Sequence, residues 1–283
     1  MEQKSIRFTK MQGIGNDYIY INCFEEKIND PAALSIAMSP RHFSVGSDGL
    51  VLIGPSDVAD AKMRIFNADG SEAQMCGNAI RCVGKYLYER GIVKKNTLTV
   101  ETLCGIKILS LTIENGIVRS VSVNMGKAIL NSKDIPVLIE KNPVIAFPLE
   151  VQGKSYRVTC VSMGNPHCII FGDDPASVEL EKIGPHFENH PLFPERINTE
   201  FAQIINENTI KMRVWERGSG ETYACGTGAC ATAVAAVLNG YCKKGEDITV
   251  SLIGGDLCIN YTDQAVIMTG PAGIVYDGVY FLN

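Results

Sequence analysis

Cys76 and Cys225 each precede a glycine at the head of a segment patterned as a helix, and polar residues surround both: Glu72 and Asn78 near the first, Ser219 and Glu221 near the second. A thiol at a helix N-terminus faces backbone N–H groups without intrahelical acceptors and the positive end of the macrodipole. Its thiolate is favoured there, and its pKa is expected to fall from about 8.5. The same N–H groups can hold a carboxylate. Two such weak acids on opposite sides of one small anion suit the inversion of a stereocentre: one thiolate takes an α-proton from one face while the other thiol delivers a proton to the opposite face. The α-hydrogen of an amino acid is a very poor acid, so donors must meet the charge that develops on the carboxylate, each worth about 3 kcal/mol in a water-excluded site. Two helix starts supply such donors.

The elements that must position these thiols read as a duplication. Arg64 to Ala79 lines up without a gap on Arg213 to Gly228, which sets Cys76 on Cys225. At the same offset Gly15-Asn16 falls on Gly164-Asn165, and Gly91 on Gly240. After Cys76, the residues Ala79, Cys82, Val83, Tyr86 and Leu87 recur at helical spacing and stop near Gly91, a C-terminal cap. After Cys225, the run Ala229 to Leu238 is apolar on nearly every side, which predicts a buried helix. Strands are expected at Tyr18 to Asn22, Ala61 to Phe66, Ile106 to Ile113, Ile117 to Asn124, Tyr156 to Ser162, Cys168 to Phe171, Phe201 to Ile205, Ile210 to Trp215, Leu257 to Tyr261 and Ala265 to Thr269. Asn115-Gly116 marks a hairpin turn.

These patterns predict an α+β chain of two pseudo-symmetric halves, each a curled mixed β-sheet, barrel-like, around a central helix. Residues 1–125 and 272–283 form the N-terminal lobe carrying Cys76, and residues 126–271 the C-terminal lobe carrying Cys225. The active site is expected in the cleft between them, where a pseudo-twofold axis makes the two cysteines face each other. Pro136, Pro143 and Pro148 make Gly126 to Glu150 a linker of irregular chain or edge strand, and Ile274 to Phe281 reads as a last strand returning to the first half.

Composition narrows the partners. The chain has 283 residues, 46% of them hydrophobic, with 31 acidic against 26 basic side chains and a net charge of −5. No basic block exceeds a pair such as Lys94-Lys95, which argues against nucleic acid. No apolar run approaches the length of a bilayer span, and Met1 to Tyr18 lacks a signal-peptide core, so a cytoplasmic protein with no membrane partner is expected. The ten cysteines include no Cys-x-x-Cys pair, and no metal site is expected. Cys23, Cys104, Cys160, Cys168, Cys242 and Cys258 are read as small buried apolar residues.

Five segments carry a resemblance: Gly13-Ile14-Gly15-Asn16-Asp17-Tyr18; Phe66 to Glu72 running into Cys76-Gly77-Asn78-Ala79; Gly164-Asn165-Pro166-His167; Arg196-Ile197-Asn198; and Glu216-Arg217-Gly218 running into Ala224-Cys225-Gly226-Thr227-Gly228. In these, and in their order along nearly the whole chain, the sequence resembles the diaminopimelate epimerase family. The resemblance implies a cofactor-independent homodimeric isomerase that interconverts LL- and meso-2,6-diaminopimelate, on the route to lysine and peptidoglycan. It implies Cys76 and Cys225 as the acid/base pair, with Gly77, Asn78, Gly226 and Thr227 holding the reacting carboxylate. Asn16, Asn67, Asn165, Asn198, Glu216 and Arg217 are implied as substrate contacts, and His167 and Glu216 as the groups that tune the thiols. An arginine at 217 suits bidentate pairing with a second carboxylate.

One position departs from the pattern. Some members of the family carry a glutamine contact where this chain has Gly49. Three alternatives stand beside this reading, the last being a non-catalytic binding protein that presents an anion pocket. A two-cysteine racemase of another amino acid, like the proline racemase group, fits the thiol pair, although Arg217 and the asparagines favour a longer, doubly charged substrate. A dinucleotide-binding oxidoreductase is suggested by Gly226-Thr227-Gly228-Ala229-Cys230-Ala231, but that fingerprint requires a strand directly before it, and the expected strand ends near Trp215.

Overall fold

The structure is a computed structural model that describes residues 5–282. The first four residues and the last, assigned above to the N-terminal lobe, lie outside the described residues. The chain divides into two compact units, one holding the described residues up to Val123 and from Gly270 onward, the other holding Asn124–Thr269.

In the first unit the elements are β1 (Ser5–Gly13), β2 (Asn16–Asn22), α1 (Pro31–Met38), β3 (Gly49–Gly54), β4 (Ala61–Asn67), β5 (Glu72–Ala73), α2 (Gly77–Glu89), β6 (Thr97–Thr102), β7 (Gly105–Glu114) and β8 (Ile117–Asn124). The second unit follows with β9 (Phe147–Val151), β10 (Lys154–Ser162), β11 (Pro166–Phe171), α3 (Leu180–Glu188), β12 (Asn198–Asn206), β13 (Thr209–Glu216), β14 (Gly220–Glu221), α4 (Gly226–Leu238), β15 (Asp247–Leu252), β16 (Gly255–Tyr261) and β17 (Val266–Gly270). The chain then returns to the first unit as β18 (Gly273–Phe281).

The two units share one connectivity. In the first, pairing runs β18-β1-β2-β3-β4-β6-β7-β8; in the second, β9-β10-β11-β12-β13-β15-β16-β17. The parallel steps are β2–β3 and β4–β6 in one, and β11–β12 and β13–β15 in the other. A parallel pair needs a crossover, and a helix supplies each one: α1 and α2 in the first unit, α3 and α4 in the second. The leading strand of the first unit is the chain's own C-terminal segment, β18, antiparallel to β1 from Ser5 opposite Phe281 to Gln12 opposite Gly273.

Burial follows the patterns. The helix α2 is buried from Gly77 to Leu87 and packs on β1, β2, β7 and β18, while α4, mostly small apolar residues, is surrounded by β10, β11, β12, β13, β15 and β16. Asn115 and Gly116 turn the β7–β8 hairpin with φ of 52° and 78°, the left-handed pair of a type I′ turn. Both helices end at glycines in the left-handed region, Gly91 at 70° and Gly240 at 77°.

Two expectations need correction. The segment Gly126 to Glu150 is irregular chain with an edge strand, as expected, but it belongs to the second unit rather than linking two units: Ile135, Val137, Ile139, Val144 and Leu149 are buried in the core of the second unit with Val158, Phe187 and Phe201. Its prolines limit pairing without preventing burial, and the segment carries the edge strand β9. Among the six cysteines read as buried, Cys104 is exposed in the tight turn between β6 and β7, and Cys23 and Cys258 are half-buried. Among the described residues, no helix is long and apolar enough to cross a membrane.

Candidate active site

In the first unit Cys76 caps α2 with an extended backbone, and Ile80 makes the first helical bond back to the Cys76 carbonyl. The amides of Gly77, Asn78 and Ala79 therefore have no acceptor within the helix. The half-buried Cys76 thiol donates to Asn16 Oδ1 at 3.4 Å. Asn16 is set by Asp48, whose Oδ2 accepts from Asn16 Nδ2 at 2.8 Å and from the Asp17 amide at 3.0 Å. Asp48 in turn pairs with Arg41 through Oδ1. Asn67 lies at the end of β4 and donates to the Ser71 hydroxyl at 2.9 Å, so its side chain braces its own turn.

Gly49 is the first residue of β3, and a Cβ there would meet the Phe66 carbonyl oxygen at 2.0 Å. This backbone excludes any side chain at position 49, so the glutamine contact cannot be restored by substitution alone.

In the second unit Cys225 caps α4 and is buried. Its sulfur accepts from the Gly228 amide at 3.4 Å and lies 3.5 Å from the Thr227 hydroxyl. Asn165 Nδ2 donates to Thr227 Oγ1 at 3.3 Å, and Asn165 Oδ1 faces His167 Nε2 at 3.1 Å. On the far side of the ring, His167 Nδ1 donates to Glu200 Oε1 at 2.6 Å, with both side chains fully buried. Glu216, the last residue of β13, accepts from the Thr222 hydroxyl.

Electrostatics oppose the simple helix-start argument for Cys225. Burial pushes its thiol well above the ordinary range, and the carboxylates of Glu216 and Glu200 push the same way. Hydrogen bonds from Thr227 and the Gly228 amide pull back without overcoming them. The direction at this cysteine is thus opposite to the expected fall, because lost hydration beside two carboxylates outweighs the two hydrogen bonds. Burial also raises Glu216, against hydrogen bonds from Thr222 and Cys225 and the nearby His167.

Asn198 and Arg217 are tied to each other. Asn198, buried in β12, donates to the Pro166 carbonyl at 2.7 Å and accepts from the Arg217 amide at 2.9 Å, so both ends of its side chain hold backbone. The Arg217 guanidinium donates to the Glu195 carbonyl at 2.9 Å.

Sequence reasoning did not single out Asp48, Glu200, Thr222 or Gly228. The signal for Gly228 was its place within the second Cys-Gly segment; Glu200 gave none, lying just outside the stretch Phe201 to Ile205 expected as a strand. His167 is linked to Cys225 through Asn165 and Thr227. A cavity of about 830 Å³ in the second unit is lined by residues such as Arg157, Lys182, His186 and Tyr241, and by none of the candidate residues. Among the described residues, no three His, Cys, Asp or Glu side chains gather as a metal-binding group.

Comparison with known proteins agrees in extent and in fold. A sequence model described as diaminopimelate epimerase matches residues 8–131 and 159–275. The chain is 56% identical over 280 residues to the diaminopimelate epimerase of Acetivibrio thermocellus, covering 98% of this chain and 99% of that protein. It is 56% identical over 275 residues to the protein of the same name from Methanococcus maripaludis, covering 96% and 99%. Among solved structures, a hydroxyproline epimerase from Agrobacterium vitis aligns with a TM-score of 0.72 at 16% identity, covering 99% of this chain and 92% of that one. Methylitaconate-delta-isomerase aligns at 0.67 with 14% identity, covering 100% and 96%. At such low identity these two likenesses are of fold alone. With more than half of its residues shared over nearly its full length, the chain belongs to the diaminopimelate epimerase family.

Proposed function

We propose that the chain is an isomerase interconverting LL- and meso-2,6-diaminopimelate by two-base proton transfer through Cys76 and Cys225, without cofactor or metal. The observation that carries the reading is the equivalence of the two sulfurs. Each belongs to the residue capping the helix that crosses between the second parallel strand pair of its unit, and each is linked to the matching asparagine, Asn16 directly and Asn165 through Thr227.

One sulfur, as thiolate, removes the α-hydrogen: the C–H bond breaks, an S–H bond forms, and the electron pair left on carbon is delocalised into the carboxylate. The thiol on the opposite face then gives its proton to that carbon and becomes the thiolate, so the configuration is inverted and the pair has exchanged roles. The carboxylate is held by the first-turn amides at Gly77-Asn78 and Gly226-Thr227, which oppose the developing charge. Burial beside Glu216 makes Cys225 hold its proton more tightly than an ordinary thiol. In the direction where Cys225 delivers that proton, Cys76 removes the other.

The remaining groups serve the long zwitterionic substrate. Arg217 exchanges its present carbonyl partner for the distal carboxylate, and Asn198 enters by fixing the Arg217 backbone. Asn16, Asn67, Asn165 and Glu216 offer the donors and acceptors its amino groups and carboxylates require. The same reading includes a cytoplasmic homodimer and a step toward lysine and peptidoglycan. Proline-type chemistry has only a fold likeness behind it.

The test is turnover in deuterated water. Purified reduced protein, with no pyridoxal phosphate or metal added, is expected to epimerise diaminopimelate and place deuterium at the α-carbon, and to leave proline untouched. Failure to exchange that hydrogen would overturn the reading. Light scattering on the same sample checks the dimer.

A further inference from the structure

Glu200 is the most deeply placed charge in the second unit that the proposed reaction leaves without a task. Both it and His167 have no exposed side-chain surface, and the 2.6 Å bond between them is the shortest link in a chain that ends at sulfur. From the carboxylate the contacts run His167 Nδ1, then Nε2 to Asn165 at 3.1 Å, Asn165 to Thr227 at 3.3 Å, and Thr227 to Cys225 at 3.5 Å. The carboxylate also reaches the cysteine's own helix: a Cβ on Gly228 would lie 2.7 Å from Glu200 Oε1 and 3.2 Å from Cys225 Sγ. Only a residue without a side chain at 228 lets the carboxylate and the sulfur flank the same helical turn. The other oxygen, Glu200 Oε2, is buried with no hydrogen-bond partner among the described residues. A carboxylate so placed is costly, and burying it beside a thiol raises the energy of the thiolate.

We propose that Glu200 is a positioning residue for Cys225: it fixes the ring of His167, and through Asn165 and Thr227 the thiol, while its charge against the first turn of α4 keeps that thiol in the proton-donating form. This rests on the reading of Cys225 as an acid/base group. The charged and titratable groups facing the sulfur are Glu200 from β12 and Glu216 from β13, with His167 of β11 behind Glu200. Two carboxylates thus act together, and removing one should leave a measurable part of the effect in place. A glutamine at 200 keeps an oxygen for the His167 Nδ1–H and loses the charge; an alanine loses both.

The experiment uses the full-length chain labelled with carbon-13 at the cysteine Cβ, with the Cys76 and Cys225 signals assigned from the C76S and C225S variants. Each signal is titrated in the parent and in Glu200→Gln. The acid constant of Cys225 is expected to rise about tenfold, one pH unit in midpoint, while that of Cys76 stays put. The limb of the kcat/KM pH profile governed by Cys225 is expected to move with it. Glu200→Ala should lower kcat at least tenfold further than Glu200→Gln with little change in KM, because orientation is lost as well. A Cys225 midpoint unmoved in Glu200→Gln, or one that moves together with that of Cys76, would overturn the proposal, and this holds even if Glu200→Ala fails to fold. The titration needs no substrate: if the thiol moves as expected while diaminopimelate is not turned over, the functional reading falls and the role of Glu200 stands.

Discussion

The Asp48 carboxylate accepts a hydrogen bond from the Asn16 amide nitrogen at 2.8 Å, and this turns the amide oxygen toward the Cys76 thiol 3.4 Å away. An asparagine side chain presents a donor and an acceptor of nearly the same shape, so without such a partner it could offer either end to the sulfur. Asp48→Ala should therefore let the amide turn and lower kcat/KM about tenfold, equivalent to roughly 1.4 kcal/mol. Arg41→Ala removes the exposed ion pairs to Asp48 and Asp17 but leaves the Asp48–Asn16 contact, and should change kcat/KM by about twofold or less. Steady-state kinetics on both variants separates the two contacts.

Cys76→Ala and Cys225→Ala are each expected to abolish epimerisation, a loss of at least about 10²–10⁴, the usual contribution of a positioned acid or base. Both variants should remain folded by circular dichroism. Full activity in either would show that the reaction does not need two sulfurs.

Glu216→Gln should trade activity for stability. Burial raises the Glu216 carboxyl in the fold, whereas in the unfolded chain it ionises at about 4.3. Between those two values the folded state binds the extra proton, so stability falls as pH rises through that window, and the cost persists above it. The neutral glutamine escapes that cost. Its melting temperature should exceed that of the parent at pH 7, the advantage should vanish at pH 4, and kcat should be lower.

Thiols give a second pH signature. An unfolded cysteine ionises at about 8.5, while Cys225 keeps its proton well above that in the fold. Above that pH the folded state binds more protons than the unfolded one, and stability falls as pH rises, by up to about 1.4 kcal/mol per pH unit for each such proton. Cys82 and Cys168 are raised by burial in the same way. Thermal unfolding between pH 8 and pH 10 should show the decline, and Cys225→Ala should lessen its slope without removing it.

Gly228→Ala should reverse the usual sign of a glycine-to-alanine change in a helix, which normally stabilises by roughly 0.5–1 kcal/mol. Here the new methyl would sit 2.7 Å from a buried carboxylate oxygen already bound to His167. A lower melting temperature together with reduced activity is expected. A variant more stable than the parent and fully active would mean that Glu200 yields its place without cost.

Much of the scaffold could be read from the residues because its signals are local. Helical spacing after each Cys-Gly, closed by Gly91 and Gly240, needs no partner to be recognised, nor does the Asn115-Gly116 turn. The short helices were harder. Eight residues of α1 are held by an Asp30 side chain on the Ala33 amide and by packing of Leu34 and Met38, and α3 runs through Pro185, which interrupts the usual pattern. The relation of Glu200 to His167 was out of reach. Its strand is buried from Asn198 to Ala202, so alternation says nothing about neighbours, and only the parallel register that sets Ile169 opposite Glu200 brings the acid beside the ring.

The return of β18 to β1 also bears on biosynthesis. A ribosome releases Val123 long before it reaches Gly270, and at about 5–20 residues per second the interval is roughly 7–30 s. Throughout that wait β1 lacks the neighbour that will cover one of its edges, whereas Asn124–Thr269 already has all of its own strands once Thr269 has emerged. The half that is translated later is thus the earlier one to be whole, and the nascent N-terminal half is the natural client for a chaperone.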